Sequence, residues 1–256
     1  MRQKIYLDYK KNTKSLHFEE PFDYFLYRPL AYFFVKSTYF LPLTPNSISV
    51  GALLCAYFSA CKIYEGNFFL AGIYLLGFCI LDCADGMLAR MKKNGHPYGE
   101  FIDMVIDVLS TCMIFASLIY TLGNFDKIAI SLSLISLFFQ VSLYNYVKEY
   151  LSQRSQNRNF HLNKQAKQGK GELVLEYIHS LFYTFQQRIF SSKHKSSLLS
   201  YGPLAGSSHL TFLFFGLILQ QLSIFYIYTL FLSNIYLLFL IFSGKSHEQQ
   251  QSTINN

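Results

Sequence analysis

Four aspartates, Asp82, Asp85, Asp103 and Asp107, stand in otherwise apolar sequence and form the group most able to do chemistry. The first two are three positions apart and the last two are four apart, so on helices each pair projects from one face. Two such helices facing each other would bring four carboxylates together. Buried carboxylates persist when they are paired, neutralised or metal-bound. Oxygen ligands without a nearby Cys-x-x-Cys or His pair predict Mg²⁺, Mn²⁺ or Ca²⁺ rather than zinc.

A simpler interpretation makes these acids helix caps and salt-bridge partners of Arg90, Lys92 and Lys93. The residues that follow the acids argue against it, because Met-Val-Ile comes directly after Asp103 and Val-Leu directly after Asp107. A solvated charged face would not continue in this way. We therefore expect a metal-binding cluster of carboxylates.

The same stretch resembles the signature of the CDP-alcohol phosphotransferase (CDP-alcohol phosphatidyltransferase) family at every defining position. The matching residues are Asp82-x-x-Asp85-Gly86-x-x-Ala89-Arg90, then eight residues, then Gly99-x-x-x-Asp103-x-x-x-Asp107. The resemblance implies that the first three acids bind a pair of Mg²⁺ or Mn²⁺ ions. It implies that Asp107 also contacts a metal and acts as general base on an acceptor hydroxyl, which attacks the β-phosphate of a CDP-linked donor and releases CMP.

The resemblance also assigns further residues, each with a competing interpretation. It assigns three small residues to contact with the CDP moiety, namely Gly86, Ala89 and Gly99. Small residues at such positions can instead serve close helix packing. Arg90 can pair with a phosphate or can snorkel to the membrane surface. Nucleotide contacts are also expected from Asn46, Ser49 and His96, although His96 can equally be a solvated loop residue. Lys148, Arg154 and Arg158 are candidates for binding the acceptor, or else charges that set topology.

The composition places these residues in a membrane protein. The chain is 52% hydrophobic and only 14% charged, and its 256 residues include 26 Phe and 20 Tyr. This lies outside the usage of ordinary soluble proteins. The five cysteines have no paired spacing and are expected to be apolar packing residues rather than a disulfide framework.

Hydropathy predicts an all-α membrane protein with six transmembrane helices and two interfacial amphipathic helices. The spans are expected at about 47–64, 68–87, 99–122 and 127–147, with 204–242 split near 220–223 into the last two. One interfacial helix opens at Arg28-Pro29, and an internal one covers about 172–190. The resulting organisation is a cytosolic arm with its interfacial helix (1–44), a catalytic domain (45–242) and a polar tail (243–256).

The charge distribution orients these spans. With six spans, all but two of the 22 Lys and Arg residues lie on one side, the exceptions being Lys62 and Lys127. This positive-inside bias predicts that the carboxylates and both termini face the cytosol, and it explains the net charge of +7 without nucleic acid. The polar N-terminus shows no cleavable signal in front of the first span.

The sequence therefore predicts a metal-dependent membrane transferase of phospholipid or related phosphodiester biosynthesis. Its expected partners are a CDP-linked donor, an alcohol acceptor and membrane lipid, and the resemblance adds a homodimer. One alternative is an Asp-rich membrane prenyltransferase. In those enzymes the two acidic motifs belong to separated helical repeats, whereas in this chain both motifs fall in one helix hairpin. Another alternative is a divalent-cation transporter or a non-catalytic scaffold. The lack of polar residues midway along several spans argues against a transporter, because such residues would continue the path of the ion.

Overall fold

A computed structural model of the chain describes residue 9 and residues 20–92, 99–155 and 198–240. The described part is built from helices without strands. A π-helical turn, Asp23–Tyr27, leads into α1 (Arg28–Thr38). Five further α-helices come next. These are α2 (Pro45–Tyr64), α3 (Phe68–Lys92), α4 (Gly99–Thr121), α5 (Asn124–Ser155) and, after a 3-10 helix (Leu198–Leu204), α6 (Gly206–Ile218). The last helix, α7 (Ser223–Leu240), contains a second π-helical stretch, Ile227–Leu232.

The ends of α2 show how local sequence sets these boundaries. Thr44 caps its N-terminus, where the Thr44 hydroxyl accepts from the Ser47 amide at 3.2 Å and Pro45 opens the first turn. The helix ends at Tyr64, and Gly66 just beyond it has a φ of +76°, a left-handed conformation that suits glycine. Hydrogen bonds from Asn67 N to Lys62 O and from Gly66 N to Ile63 O complete a Schellman motif. This turn separates α2 from α3 between the first two predicted spans.

The core lies among α2, α3, α4 and α6, with α1 packed against α3. Its fully buried side chains come from several helices and include Tyr32, Leu75, Phe115 and Leu217. Residues on the outside of the same helices are large and apolar, such as Val50, Phe69 and Leu109. A surface of this kind suits lipid rather than water. The four-helix core holds α2, α3 and α4 in fixed relation, and α3 and α4 carry the aspartates.

Four helices are long and apolar enough to cross a membrane: Pro45–Tyr64, Phe68–Lys92, Asn124–Lys148 and Ser223–Leu240. They agree with the first, second, fourth and sixth predicted spans, and α3 and α5 extend beyond the predicted ends at 87 and 147. The other two predicted spans coincide with shorter apolar helices, Val105–Thr121 and Gly206–Ile218. The break expected near 220–223 is confirmed, because α6 ends at Ile218 and Gln220 takes a φ of +54° before α7 begins.

Polar side chains between α5 and α7 form a hydrogen-bonded network inside the apolar helices. Gln140 Nε2 lies 3.0 Å from Asn234 Oδ1, and Asn234 Nδ2 lies 2.9 Å from Ser136 Oγ. Asn234 Nδ2 also lies 3.0 Å from the carbonyl oxygen of Thr229, within the π-helical stretch. Such contacts join helices where water is absent. They hold α7 against α5.

Candidate metal and substrate site

Three of the four aspartates meet where α3 ends and α4 begins. Each of Asp82, Asp85 and Asp103 offers a carboxylate oxygen, and these oxygens lie within 4.8 Å of one another. Asp82 and Asp85 stand in the last turns of α3, and Asp103 stands at the start of α4. Because successive helices run in opposite directions, these turns share one end of the bundle. The predicted convergence of the two acidic pairs is found for these three residues.

Asp107 lies one turn further along α4 and adjoins the cluster. Asp107 and Asp82 are close enough for their carboxyl groups to interact directly, and Asp107 is the strongest charged neighbour of Asp82. The four carboxylates differ in exposure: Asp85 is 7% exposed, Asp82 and Asp103 are half-buried, and Asp107 is exposed. Asp107 is therefore the most accessible of the four side chains.

The start of α2 supplies a hydrogen bond to the most buried of these acids. Ser49 Oγ lies 2.5 Å from Asp85 Oδ2 and 3.1 Å from the Pro45 carbonyl oxygen. One hydroxyl proton can serve only one of them, and the carboxylate is the stronger acceptor. Ser49 was predicted as a nucleotide contact, and the structure places its hydroxyl on Asp85. Asn46 is exposed in the first turn of the same helix.

The end of α3 and the segment before α2 are tied together beside the cluster. Lys92 donates to the carbonyl oxygens of Leu43 at 2.8 Å and Leu41 at 3.3 Å. Its ammonium group also lies 5.7 Å from the ring centre of Tyr39. This cation therefore fixes the approach of the chain to the N-terminus of α2, where Asn46 and Ser49 stand.

Gly86 and Arg90 lie together one turn apart on α3. A Cβ atom added at Gly86 would lie 3.5 Å from Arg90 Nη1 and 4.0 Å from Nη2, and no other described atom would lie within 4 Å. Arg90 also interacts electrostatically with Asp85. Ala89 is half-buried on the same helix. A guanidinium group next to an open glycine and a carboxylate cluster is well placed to pair with a phosphate.

Two further acids, Glu20 and Asp23, border the cluster and were not among the predicted site residues. Asp23 is an electrostatic neighbour of Asp82, and Glu20 is one of Asp107. Glu20 Oε2 accepts a hydrogen bond of 2.7 Å from the Ser207 amide at the start of α6. The spacing Glu20-x-x-Asp23 equals that of Asp82 and Asp85 and was the one available signal. Nothing local in that polar stretch indicates its contact with α6.

Tyr27 makes the second contact between the N-terminal segment and α6. Its hydroxyl lies 2.7 Å from Thr211 Oγ1, and the Thr211 hydroxyl donates to the Ser207 carbonyl oxygen, so that Tyr27 acts as the donor. Burial raises the pKa of the Tyr27 hydroxyl, which keeps its proton at neutral pH. Together, Glu20 and Tyr27 hold the first two turns of α6 beside the acids.

The remaining predicted residues are only partly described. Lys148 is half-buried, with its Nζ 5.8 Å from the ring centre of Tyr144. Gly99 is the first residue of α4, and Arg154 lies in the last turn of α5. His96, Arg158, the interfacial helix expected at 172–190 and the tail 243–256 lie outside the described residues.

The donor set of the cluster fits a hard divalent cation. Asp82, Asp85 and Asp103 offer only carboxylate oxygens, and Cys83, which lies between two of them, packs in the hydrophobic core. Like charges this close oppose one another unless a cation neutralises them. Oxygen ligands of this kind suit Mg²⁺, Mn²⁺ or Ca²⁺.

Comparison with known proteins agrees with this geometry. Residues 42–202 match the family model described as CDP-alcohol phosphatidyltransferase, and all four aspartates fall within that range. The archaetidylinositol phosphate synthase of Pyrococcus horikoshii is 36% identical over 74 residues, which cover 29% of this chain and 39% of that relative. No solved structure matches the chain. Because the family model covers more than half of its residues, the chain belongs to the CDP-alcohol phosphatidyltransferase family.

Proposed function

We propose that the protein transfers a substituted phosphate group from a CDP-linked donor, either CDP-diacylglycerol or a CDP-alcohol, to an alcohol acceptor, with release of CMP. The observation that carries the proposal is the meeting of Asp82, Asp85 and Asp103 at one end of the bundle. Gly86 and Arg90 lie at the same end of α3. A membrane-embedded enzyme of this kind would serve phospholipid or related phosphodiester synthesis.

The four aspartates would hold two Mg²⁺ or Mn²⁺ ions, with ligands from Asp82, Asp85, Asp103 and Asp107. When bound, such ions neutralise the diphosphate and stabilise the charge that develops during phosphoryl transfer. The chain itself sets the ligand geometry, because Ser49 orients the Asp85 carboxylate through its 2.5 Å hydrogen bond. Burial of Asp85 keeps water from competing for that oxygen.

Asp107 would act as the general base. Its exposure lets an acceptor hydroxyl approach, and a carboxylate oxygen of Asp107 would take the hydroxyl proton. The alcohol oxygen then forms a bond to the β-phosphorus of the donor. The bond between that phosphorus and the bridging oxygen breaks, and CMP leaves with the bridging oxygen and its electron pair.

The donor would lie along the small residues of α3 and the first residue of α4. Gly86, Ala89 and Gly99 leave room for the CDP moiety, and Arg90 would pair with a phosphate oxygen. Asn46 and Ser49 would contact the nucleotide from the N-terminus of α2, and His96 is proposed as a further nucleotide contact. Lys148, Arg154 and Arg158 would attract an anionic acceptor.

The arrangement in the membrane is a further part of the proposal. We infer six spans, in which α4 and α6 cross together with the four longer helices, and an interfacial location for α1. The distribution of Lys and Arg supports a site and termini that face the cytosol. The family resemblance supports a homodimer.

The test is metal-dependent CMP release by the purified protein. It is incubated with Mg²⁺, CDP-diacylglycerol and a panel of inositol, inositol phosphate, glycerol 3-phosphate and serine, and separately with CDP-choline or CDP-ethanolamine and diacylglycerol. Asp107→Asn should lower turnover by about 10²- to 10⁴-fold, the usual contribution of a general base. Chelation of the metal should abolish turnover in every active pairing.

The matched control is Asp126→Asn, which changes a carboxylate at the other end of the bundle. Asp126 lies in the first turn of α5, and the part of α4 from Asp103 to its end, which is about 27 Å long, separates the two residues. This variant should keep wild-type turnover. Undiminished turnover in Asp107→Asn would refute the base assignment, and cation flux without any CMP release would favour a transporter.

A further inference from the structure

The N-terminus of α6 is occupied by a carboxylate from a distant part of the chain. The first amides of a helix have no intrahelical acceptor and carry a partial positive charge, which favours an anion. The cap residue Ala205 provides no side-chain hydrogen bond. Instead, Glu20 Oε2 accepts from the Ser207 amide at 2.7 Å and would lie 3.9 Å from a Cβ added at Gly206. An anionic oxygen therefore already sits at this position.

The hydroxyl next to that amide is buried and lacks a hydrogen-bond partner among the described residues. Ser207 is 5% exposed, and its Oγ makes no hydrogen bond there. Its neighbours differ, since Ser208 Oγ donates to the Gly202 carbonyl oxygen at 2.7 Å and Thr211 Oγ1 to the Ser207 carbonyl oxygen at 2.6 Å. A buried hydroxyl without a partner is costly and needs an explanation.

A phosphate group satisfies this position better than the Glu20 carboxylate does. Glu20 engages the Ser207 amide but leaves the Ser207 hydroxyl without a partner. A phosphate has three terminal oxygens in a tetrahedral arrangement, so it can accept from the amide and from the hydroxyl of the same residue. Helix N-termini bind phosphate through this combination of amides and positive dipole.

This position lies between the proposed base and α5. Glu20 is an electrostatic neighbour of Asp107. On the other side, a Cβ at Gly206 would lie 3.7 Å from Val141 of α5, and Ala205 shares a buried cluster with Tyr144. Lys148 extends over the Tyr144 ring. An acceptor held here by an anionic group can present its hydroxyl toward Asp107.

We propose that the N-terminus of α6 binds the phosphate group of a phosphorylated alcohol acceptor, and that Glu20 occupies this position until the acceptor displaces it. The inference rests on the proposed function, because it names the class of acceptor that the same site takes. Glu20 is then a built-in competitor that also keeps the helix capped in the absence of acceptor. If Glu20 served only as a helix cap, removing its charge would not strengthen the binding of phosphate.

The first experiment measures binding of inorganic phosphate by calorimetry to the purified full chain in nanodiscs, with EDTA present so that no metal binds phosphate. Glu20→Gln keeps an oxygen that can accept from the Ser207 amide but removes the competing charge. It should bind phosphate on the order of 10-fold more tightly than wild type, as expected for one displaced charge-assisted hydrogen bond. Adding Ser207→Ala should reverse most of this gain.

The matched control is Glu65→Gln, which removes a carboxylate at the opposite end of α2, where Glu65 pairs with Lys62. It should leave phosphate binding unchanged. If Glu20→Gln binds phosphate no more tightly than wild type, the carboxylate is a helix cap only and the proposal is wrong. A gain that survives Ser207→Ala would likewise overturn the assignment of this site.

A second arm tests whether the bound phosphate belongs to the acceptor. Glu20→Gln should lower KM by about 10-fold for glycerol 3-phosphate or inositol phosphate, whichever is used, and leave KM unchanged for the alcohol without phosphate. Equal effects on both forms would overturn the acceptor assignment. Absence of CMP release with every acceptor would instead refute the proposed function, whereas phosphate binding in EDTA still reports on the α6 site itself.

Discussion

Gly86→Ala separates the two interpretations of the small residues on α3, because the structure predicts that the added methyl group harms the donor but not the fold. The new Cβ would lie 3.5 Å from Arg90 Nη1, an ordinary van der Waals distance, and would meet no other described atom within 4 Å. Replacing a helical glycine by alanine favours the helix by about 1 kcal/mol. The melting temperature should therefore stay constant or rise by about 2–4 °C.

The expected loss is in the use of the donor. If the CDP moiety lies against Gly86, a methyl group there overpacks the complex at a cost of about 1–3 kcal/mol. That cost corresponds to a fall of about 5- to 150-fold in kcat/KM for the donor. CMP release is measured against CDP-diacylglycerol concentration at saturating acceptor, and unfolding is followed by circular dichroism in the helix band.

Gly77→Ala is the matched control on the same helix. Its Cβ would lie 3.4 Å from Cys55 Sγ, a similarly tolerable contact, and nine positions separate it from Gly86. Both variants gain the same helix propensity, so both should melt at or above the wild-type temperature, and only Gly86→Ala should lose activity. Equal kcat/KM in the two variants would show that Gly86 does not contact the donor. A lowered melting temperature for Gly86→Ala would refute the steric argument.

Two other substitutions test the supports of the site and of the bundle. Ser49→Ala removes the 2.5 Å hydrogen bond to Asp85 and should weaken Mn²⁺ affinity by about 10- to 100-fold, measured by titration with electron paramagnetic resonance. The control is Ser59→Ala, which removes a buried hydroxyl bonded to the Ala71 carbonyl oxygen and should not change Mn²⁺ affinity. Asn234→Leu removes the contacts of α7 with α5 and should lower the stability by about 0.6–2 kcal/mol while the folded protein retains metal binding.

The acidic motifs and the helix ends were predictable because their signals are local. Spacings of three and four residues placed each acidic pair on one helix face, and the Gly66 turn follows from the conformational freedom of glycine. The role of Glu20 was not predictable, since its partner Ser207 lies far away in sequence and the stretch that carries Glu20 is merely polar. The π-helical turns at Asp23–Tyr27 and Ile227–Leu232 likewise gave no signal in the hydrophobic periodicity.

The gradient of exposure across the aspartates argues for a division of labour within one cluster. Asp85 is buried and hydrogen-bonded by Ser49, which suits a ligand whose position must not change. Asp107 is exposed and stands about 6 Å further along α4 than Asp103, because four residues rise 1.5 Å each. The donor would approach over Gly86 and Arg90 on α3, whereas Asp107 stands on α4 and has Glu20 of the N-terminal segment among its charged neighbours. An in-line displacement requires the attacking and leaving oxygens to lie on opposite sides of the transferred phosphorus, so the acceptor would have to reach Asp107 from the side away from the CMP moiety.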